Sequence, residues 1–317
     1  MRSVPQRIGL CLVVTFGGAC ATSHSSPGGN GEATADSAAS DDSTDGATVV
    51  GATGGTGGAG ETNIGTTGTA GGAGAAGAQA DASPVDVAPE AATTAPIDFS
   101  IWQLQLPTGI GTSPTTVAPA GLVAGFSDAY FYREPSGAQM FMDPANGITT
   151  SGSQHCRTEL REMTPDGKPA AWPSTRTNTM TVSGKILQVG GGASGHVTIG
   201  QVFNGTDSIP LCELEYSAKI GGFQLLYEEG KGAGTTIDLA ASVALGEPYT
   251  FTLALSNGTL TVSVHGKVVL TKTPSAAVAA NSFYFKAGNY DQTAIAGSVS
   301  TTPYTVVEVD ALDVGHR

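Results

Sequence analysis

From about residue 96 onward the chain predicts an all-β domain, an antiparallel sandwich or β-jelly roll, on three observations. Apolar and polar residues alternate with period two in several runs; Gly, Asn and Pro punctuate those runs at short intervals; and no long amphipathic helix pattern interrupts them. Such alternation buries one face of a sheet and leaves the other to present polar side chains, which is how a jelly roll builds a concave groove.

Taken in order, the chain first shows an export segment over residues 1–20. Arg2 and Arg7 precede an apolar run, Ile8 to Phe16, that ends in Gly17-Gly18-Ala19-Cys20, the pattern of a secretory signal. The run is too short to cross a bilayer as a helix. Cys20 after Gly-Gly-Ala resembles a bacterial lipoprotein processing site, which implies a lipid anchor at Cys20 and an outer-membrane or cell-surface location. Ordinary cleavage and secretion is the alternative, because Gly17 stands where such sites carry a large aliphatic residue. Residues 21–95 are mostly Gly, Ala, Ser, Thr and Asp, and no Lys or Arg occurs between Ile8 and Tyr132. A segment with so little apolar surface cannot offset the entropy of ordering it, so a flexible, self-repelling tether is expected. The net charge of −13 over 317 residues argues against a nucleic-acid partner, which would need clustered Lys and Arg.

The remainder, residues 96–317, is long enough for one sizeable domain. Thr179 to Ile186 and Tyr249 to Leu255 alternate as strands. Thr259 to Val264 leads through His265-Gly266-Lys267 into Val268-Val269-Leu270, a predicted hairpin, and Tyr304 to Val314 forms a long closing strand. The segment His155 to Glu162 also reads as a strand but carries unusual charge. With residues two apart sharing a face, His155, Arg157, Glu159 and Arg161 line one surface, and Cys156, Thr158 and Leu160 line the other. Such a row suits a sheet that holds an anionic ligand; a solvated edge strand is the plain alternative. Of the four cysteines only Cys156 and Cys212 lie in the domain, and export predicts that they pair, two buried thiols being the alternative. No CxxC, HExxH or His pair at metal spacing is present, so neither a metal nor a cofactor is expected.

Two further segments complete a candidate site. In Thr198-Ile199-Gly200-Gln201-Val202-Phe203-Asn204, Gln201 and Phe203 share a face. In Tyr284-Phe285-Lys286-Ala287-Gly288-Asn289-Tyr290, Tyr284 and Lys286 do, and Gly288 permits a turn before Tyr290. Arg-Thr-Glu-Leu-Arg, Gln-Val-Phe and Tyr-Phe-Lys-Ala-Gly-Asn-Tyr, in that order, resemble the three signature strands of the polysaccharide lyase family 7 alginate lyases. Trp102-Gln103-Leu104-Gln105-Leu106-Pro107 is similar to that family's first strand.

The resemblance implies a β-jelly roll whose groove binds an acidic polysaccharide and cleaves a 4-linked uronate, such as alginate, mannuronate-rich alginate or glucuronan, by β-elimination without a cofactor; a monomer is expected. Loss of the C5 proton adds charge to a carboxylate that is already negative, so fixed donors must neutralise it. Arg157, with its two-pronged guanidinium, and the Gln201 amide suit that task. By the same resemblance Tyr290 protonates the departing O4 and, when the proton lies on the same side, removes it as well. Arg161 and Lys286 are expected to supply the field that favours an ionised tyrosine. Glu159 is expected to orient the arginines, with Tyr284, Asn204 and Asn289 touching substrate. Trp102 and Trp172 are further candidates for stacking on sugar. His196, at odd spacing from Gln201, is expected to face away. The family's middle motif ends in a catalytic histidine where this chain has Phe203, which cannot exchange a proton. Three explanations stay open: Tyr290 acts alone, His155 replaces the imidazole, or the domain binds polysaccharide without cleaving it.

Overall fold

The computed structural model describes residues 97–317; the export segment, Cys20 and the tether fall outside the described residues. In chain order β1 (Trp102–Ile110), β2 (Ser113–Val117), β3 (Phe131–Arg133), β4 (Gln139–Asp143) and β5 (Asn146–Gly147) come first. Next are β6 (Thr158–Glu162), β7 (Trp172–Pro173), β8 (Thr177–Gln188), β9 (His196–Asn204) and β10 (Ile209–Ser217). They are followed by β11 (Gly222–Tyr227), β12 (Thr235–Ser242), β13 (Pro248–Ser256), β14 (Thr259–Val264) and β15 (Lys267–Lys272). The chain closes with β16 (Ser282–Asp291), β17 (Ile295–Ala296) and β18 (Thr305–His316).

Two antiparallel sheets carry the fold. A nine-stranded sheet runs β12-β11-β10-β9-β16-β6-β1-β2, with β7 paired to β16, and a seven-stranded sheet runs β15-β14-β13-β8-β18-β4-β3. This is the expected all-β jelly roll. In the seven-stranded sheet alternation dominates: β8 and β13 bury every second residue, so that Met180, Val182, Phe251, Leu253 and Leu255 enter the core. Its hairpins are tight. Asn257-Gly258 and His265-Gly266 all have positive φ, between 49° and 73°, as two-residue turns between twisted antiparallel strands require. The predicted hairpin at His265-Gly266 is therefore present.

The nine-stranded sheet departs from simple alternation. β9, β10 and β16 are buried at almost every position, on both faces. One face is apolar and meets the other sheet through Leu160, Val202, Leu214, Phe285 and Ala287. The opposite face is buried yet polar, and a buried polar face must supply its own partners.

Several expectations are corrected here. The charged strand starts at Thr158 rather than His155, because Ser153 Oγ accepts the His155 N–H and donates to the His155 carbonyl, which turns the chain just before it. Cys156 and Cys212 are separate buried thiols. Cys212 lies on β10 and Cys156 just before β6, and β9 and β16 run between those two strands, a span of about 14 Å at sheet spacing, whereas a disulfide needs Cα atoms within about 7 Å. Burial pushes both thiols up, that of Cys212 to about 12. Trp102 and Trp172 lie on the apolar side, not in a groove. Trp172 Nε1 donates to Glu162 Oε2 at 2.9 Å, and its ring packs 4.7 Å from that of Phe285.

Candidate active site

The cross-strand register of the polar face assembles the candidate residues. In one row Gln103 lies opposite Arg161, Arg161 opposite Lys286, Lys286 opposite Gln201, and Gln201 opposite Glu213. A parallel row brings Glu159 opposite Gly288, then Tyr290 opposite Thr198 and Thr198 opposite Glu215. Thus Arg157, Glu159, Arg161, Gln201, Tyr284, Lys286 and Tyr290, drawn from three neighbouring stretches of the sheet, come together as expected.

Glu159 is the hub. Its Oε1 accepts from Gln201 Nε2 at 2.6 Å, its Oε2 accepts from Arg157 Nη1 at 3.2 Å, and Lys286 Nζ stands 3.7 Å from Oε2. A carboxylate that holds an amide and two cations in low-dielectric surroundings fixes their orientation before any ligand arrives. Glu159 therefore orients Gln201 and Lys286 as well as the arginine. The cations lie on aromatic faces: Arg157 Cζ is 3.6 Å from the Tyr290 ring centroid, Arg161 Cζ 4.4 Å from that of Tyr284, and Lys286 Nζ 4.1 Å from that of Phe203. Arg157 thus adds its charge to those of Arg161 and Lys286, which were expected to favour an ionised Tyr290. Arg157 sits against that ring, while Arg161 and Lys286 are engaged by Tyr284 and Phe203. The side chains bury one another, leaving Arg157 and Tyr290 only 3% exposed and Gln201 fully covered.

His155 does not share a strand face with Arg157, but it reaches the same neighbourhood from the loop. Its ring lies 6.2 Å from that of Tyr290, and its Nδ1 is 2.6 Å from the Ala294 carbonyl oxygen. A carbonyl only accepts, so Nδ1 carries a hydrogen, and in the neutral ring the lone pair is on Nε2.

Beyond Gln201 the polar face changes character. A cavity of about 640 Å³ is lined by His155, His196, Glu213, Glu215, Gln224 and Glu228, with Gly232 and Gly234 from the adjoining loop. Burial raises the Glu215 carboxyl above its ordinary value, against the opposing effects of the Gln224 amide and of His196. His196 was expected to face away, yet it lines this cavity. The register of β9 slips between Gly200 and Thr198 relative to β10, a bulge that returns Thr198 and His196 to the face of Gln201.

Two expected ligand contacts are structural instead. Asn204 Oδ1 accepts the Thr206 and Asp207 N–H groups and its Nδ2 donates to Asp207, so the side chain closes the turn after β9. Asn289 points to the apolar side, where Nδ2 donates to the Phe141 and Thr305 carbonyls and ties the two sheets together. Sequence reasoning missed Ser153, whose Oγ lies 3.0 Å from Arg157 Nη2 and 3.1 Å from the Tyr290 hydroxyl. It also missed the acidic cavity wall, although Glu213-Leu214-Glu215 alternates legibly. Among the described residues, no group of three or more His, Cys, Asp or Glu is placed to hold a metal ion.

Comparison with known proteins gives the same picture. No curated protein matches the chain. The alginate lyase family model (Alginate_lyase2) matches residues 97–316. Among solved structures, alginate lyase PA1167 from Pseudomonas aeruginosa is 27% identical with a TM-score of 0.62, covering 69% of this chain and 100% of that one. Alginate lyase A1-II', a member of polysaccharide lyase family-7, is 28% identical with a TM-score of 0.58, over 69% of this chain and 96% of that one. Variants of A1-II' have been solved with a product (GGG) and with a substrate (GGMG). From residue 97 to residue 316, this chain belongs to the alginate lyase family and has its β-jelly-roll fold.

Proposed function

We propose that the domain is a lyase that cleaves a 4-linked polyuronate of the alginate type by β-elimination. The observation that carries this reading is the gathering of Arg157, Gln201, Lys286 and Tyr290 around Glu159. Family membership and the oligosaccharides bound to A1-II' support an acidic polysaccharide as the partner. In this mechanism the guanidinium of Arg157 and the amide of Gln201 meet the uronate carboxylate and hold the charge that builds there. The amide nitrogen has two hydrogens, and Glu159 takes one of them. A base removes the C5 proton, the electron pair forms the C4–C5 double bond, the C4–O4 bond breaks, and an acid delivers a proton to O4.

Tyr290 is the acid, and for mannuronate or glucuronate, whose C5 proton and O4 lie on the same side, it is the base as well. Its phenolate form is favoured by the Arg157 guanidinium at 3.6 Å. His155 gives a second route. Its Nε2 lone pair, fixed by the Nδ1 bond to Ala294, would take the proton from the opposite side, the geometry of guluronate. A binding module is the reading from another class, and it rests on Phe203, a buried ring beneath Lys286 where a proton-transfer residue would serve a lyase.

Purified domain incubated with polymannuronate, polyguluronate and glucuronan, followed by the ultraviolet absorbance of the unsaturated product, tests the proposal. Cleavage that Tyr290→Phe abolishes is expected; silence on every polyuronate, with retained binding, would establish the module instead. His155→Gln separates the two routes, since it should suppress cleavage of polyguluronate and spare polymannuronate. The proposal extends to export, with the mature chain lipidated at Cys20 or secreted. Incorporation of labelled fatty acid that Cys20→Ala removes would identify the anchored form.

A further inference from the structure

Ser153 stands where four hydrogen-bonding groups meet. Its Oγ is 3.0 Å from Arg157 Nη2, 3.3 Å from the His155 backbone nitrogen, 2.9 Å from the His155 carbonyl oxygen and 3.1 Å from the Tyr290 hydroxyl. A serine hydroxyl has one proton to give and two lone pairs to receive with. The guanidinium and the backbone N–H can only donate, so they occupy both lone pairs. The single Oγ proton is left to choose between two acceptors, the His155 carbonyl and the Tyr290 oxygen. A protonated Tyr290 then has no lone pair on Oγ to donate into, and its own proton is directed away from Ser153.

We propose that Ser153 is a positioning residue whose hydroxyl turns from the His155 carbonyl to the Tyr290 oxygen as the phenol loses its proton, and so stabilises the basic form of Tyr290. The inference rests on the reading of Tyr290 as a proton-transfer group. The Arg157 guanidinium lies over the Tyr290 ring, and Lys286 lies near Glu159 and over the Phe203 ring. Glu159 and Glu215 carry negative charge on the flanking strands β6 and β10, His155 and His196 line the cavity alongside, and Asp143 and Asp291 lie buried beneath. Arg157 and Lys286 favour a phenolate through their charge, and Ser153 Oγ adds a hydrogen-bonding group 3.1 Å from the phenol oxygen.

The test is a spectrophotometric titration of tyrosine ionisation, in which the difference between the native protein and Tyr290→Phe isolates Tyr290. Ser153→Ala should move that titration upward by about one to two pH units, the scale of a lost hydrogen bond to a charged group. Ser153→Thr, which keeps the hydroxyl, should restore it. On a cleaved polyuronate the rising limb of kcat/KM should move by the same amount, with KM little changed. Far-ultraviolet circular dichroism checks that each variant is folded, and Ser153→Cys replaces Ser153→Ala if the latter is not. A titration unmoved by either variant, or an activity loss equal at every pH, overturns the inference. Because the titration needs no substrate, a protein that cleaves nothing yet shows the shift overturns the lyase reading and leaves the role of Ser153 standing.

Discussion

The polar face of the nine-stranded sheet has two halves that meet at Gln201, and they differ in sign. On one side Arg157, Arg161 and Lys286 surround a single hub carboxylate, Glu159, and each lies on an aromatic ring. On the other side Glu213, Glu215 and Glu228 line an open cavity with only His155 and His196 as potential cations among the groups that line it. The first half is packed and cross-linked, and its polar groups are fixed before a ligand arrives. The second is roomy, and burial keeps one of its carboxyls, Glu215, protonated over a wider pH range. A polyanion lying across both halves would be gripped at one end and repelled at the other. On the proposed reading, the site would hold one carboxylate firmly rather than attract a charged chain along its length.

The largest expected effect lies in the cationic half. Arg157→Ala removes the guanidinium from both the carboxylate site and the Tyr290 ring, and should lower turnover by roughly 10²–10³-fold, the scale of losing one preorganised donor. Arg157→Lys should not rescue it, because an ammonium cannot span Glu159 and Ser153 at once. Retained turnover in either variant would break the contrast.

Beneath the same half, burial and the neighbouring Asp291 hold the Asp143 carboxyl well above the usual carboxylate range. With the folded value above the unfolded one, the native state binds the extra proton. The associated stability is therefore present at low pH and declines as pH rises from the ordinary carboxylate range through the raised one. Asp143→Asn should flatten that decline in melting temperature against pH; an unchanged slope would show that another group controls it.

A smaller effect is expected in the acidic half. Glu215→Gln should lower KM for a polyuronate a few-fold at neutral to alkaline pH and little at acid pH. As pH rises the native carboxyl ionises and repels substrate, whereas the amide does not. Added salt should narrow the difference. A higher KM in the variant would mean that Glu215 binds substrate rather than repelling it.

The smallest effect should be none. Cys156 adjoins the cationic half and Cys212 the acidic one, with no covalent bond between them. Reducing agent should leave the melting temperature unchanged, and two thiols should react with a thiol reagent once the domain is unfolded.

Much of the site was legible in the chain because its signals are local. The two-residue period placed Glu159 and Arg161 on one face of β6 and Tyr284 and Lys286 on one face of β16, and both placements hold. Asn204 and Asn289 misled for the opposite reason. Their type suits sugar hydroxyls, but one closes a turn and the other bonds carbonyls of distant strands, partners that no short stretch reveals. His196 was misplaced because a bulge reverses parity, and the bulge exists only in the pairing of β9 with β10.

By itself the sequence determined the β-rich class, the family and the residue types of the site, since periodicity, turn residues and ordered motifs are properties of short segments. Only the tertiary structure decided which cation lies on which ring, that Ser153 touches both Arg157 and Tyr290, and that the two cysteines stay apart. Those outcomes depend on strand order and register between segments as much as 137 residues apart, as Ser153 and Tyr290 are. Such pairings are set by how the whole sheet closes its hydrogen bonds and not by the preferences of any one strand.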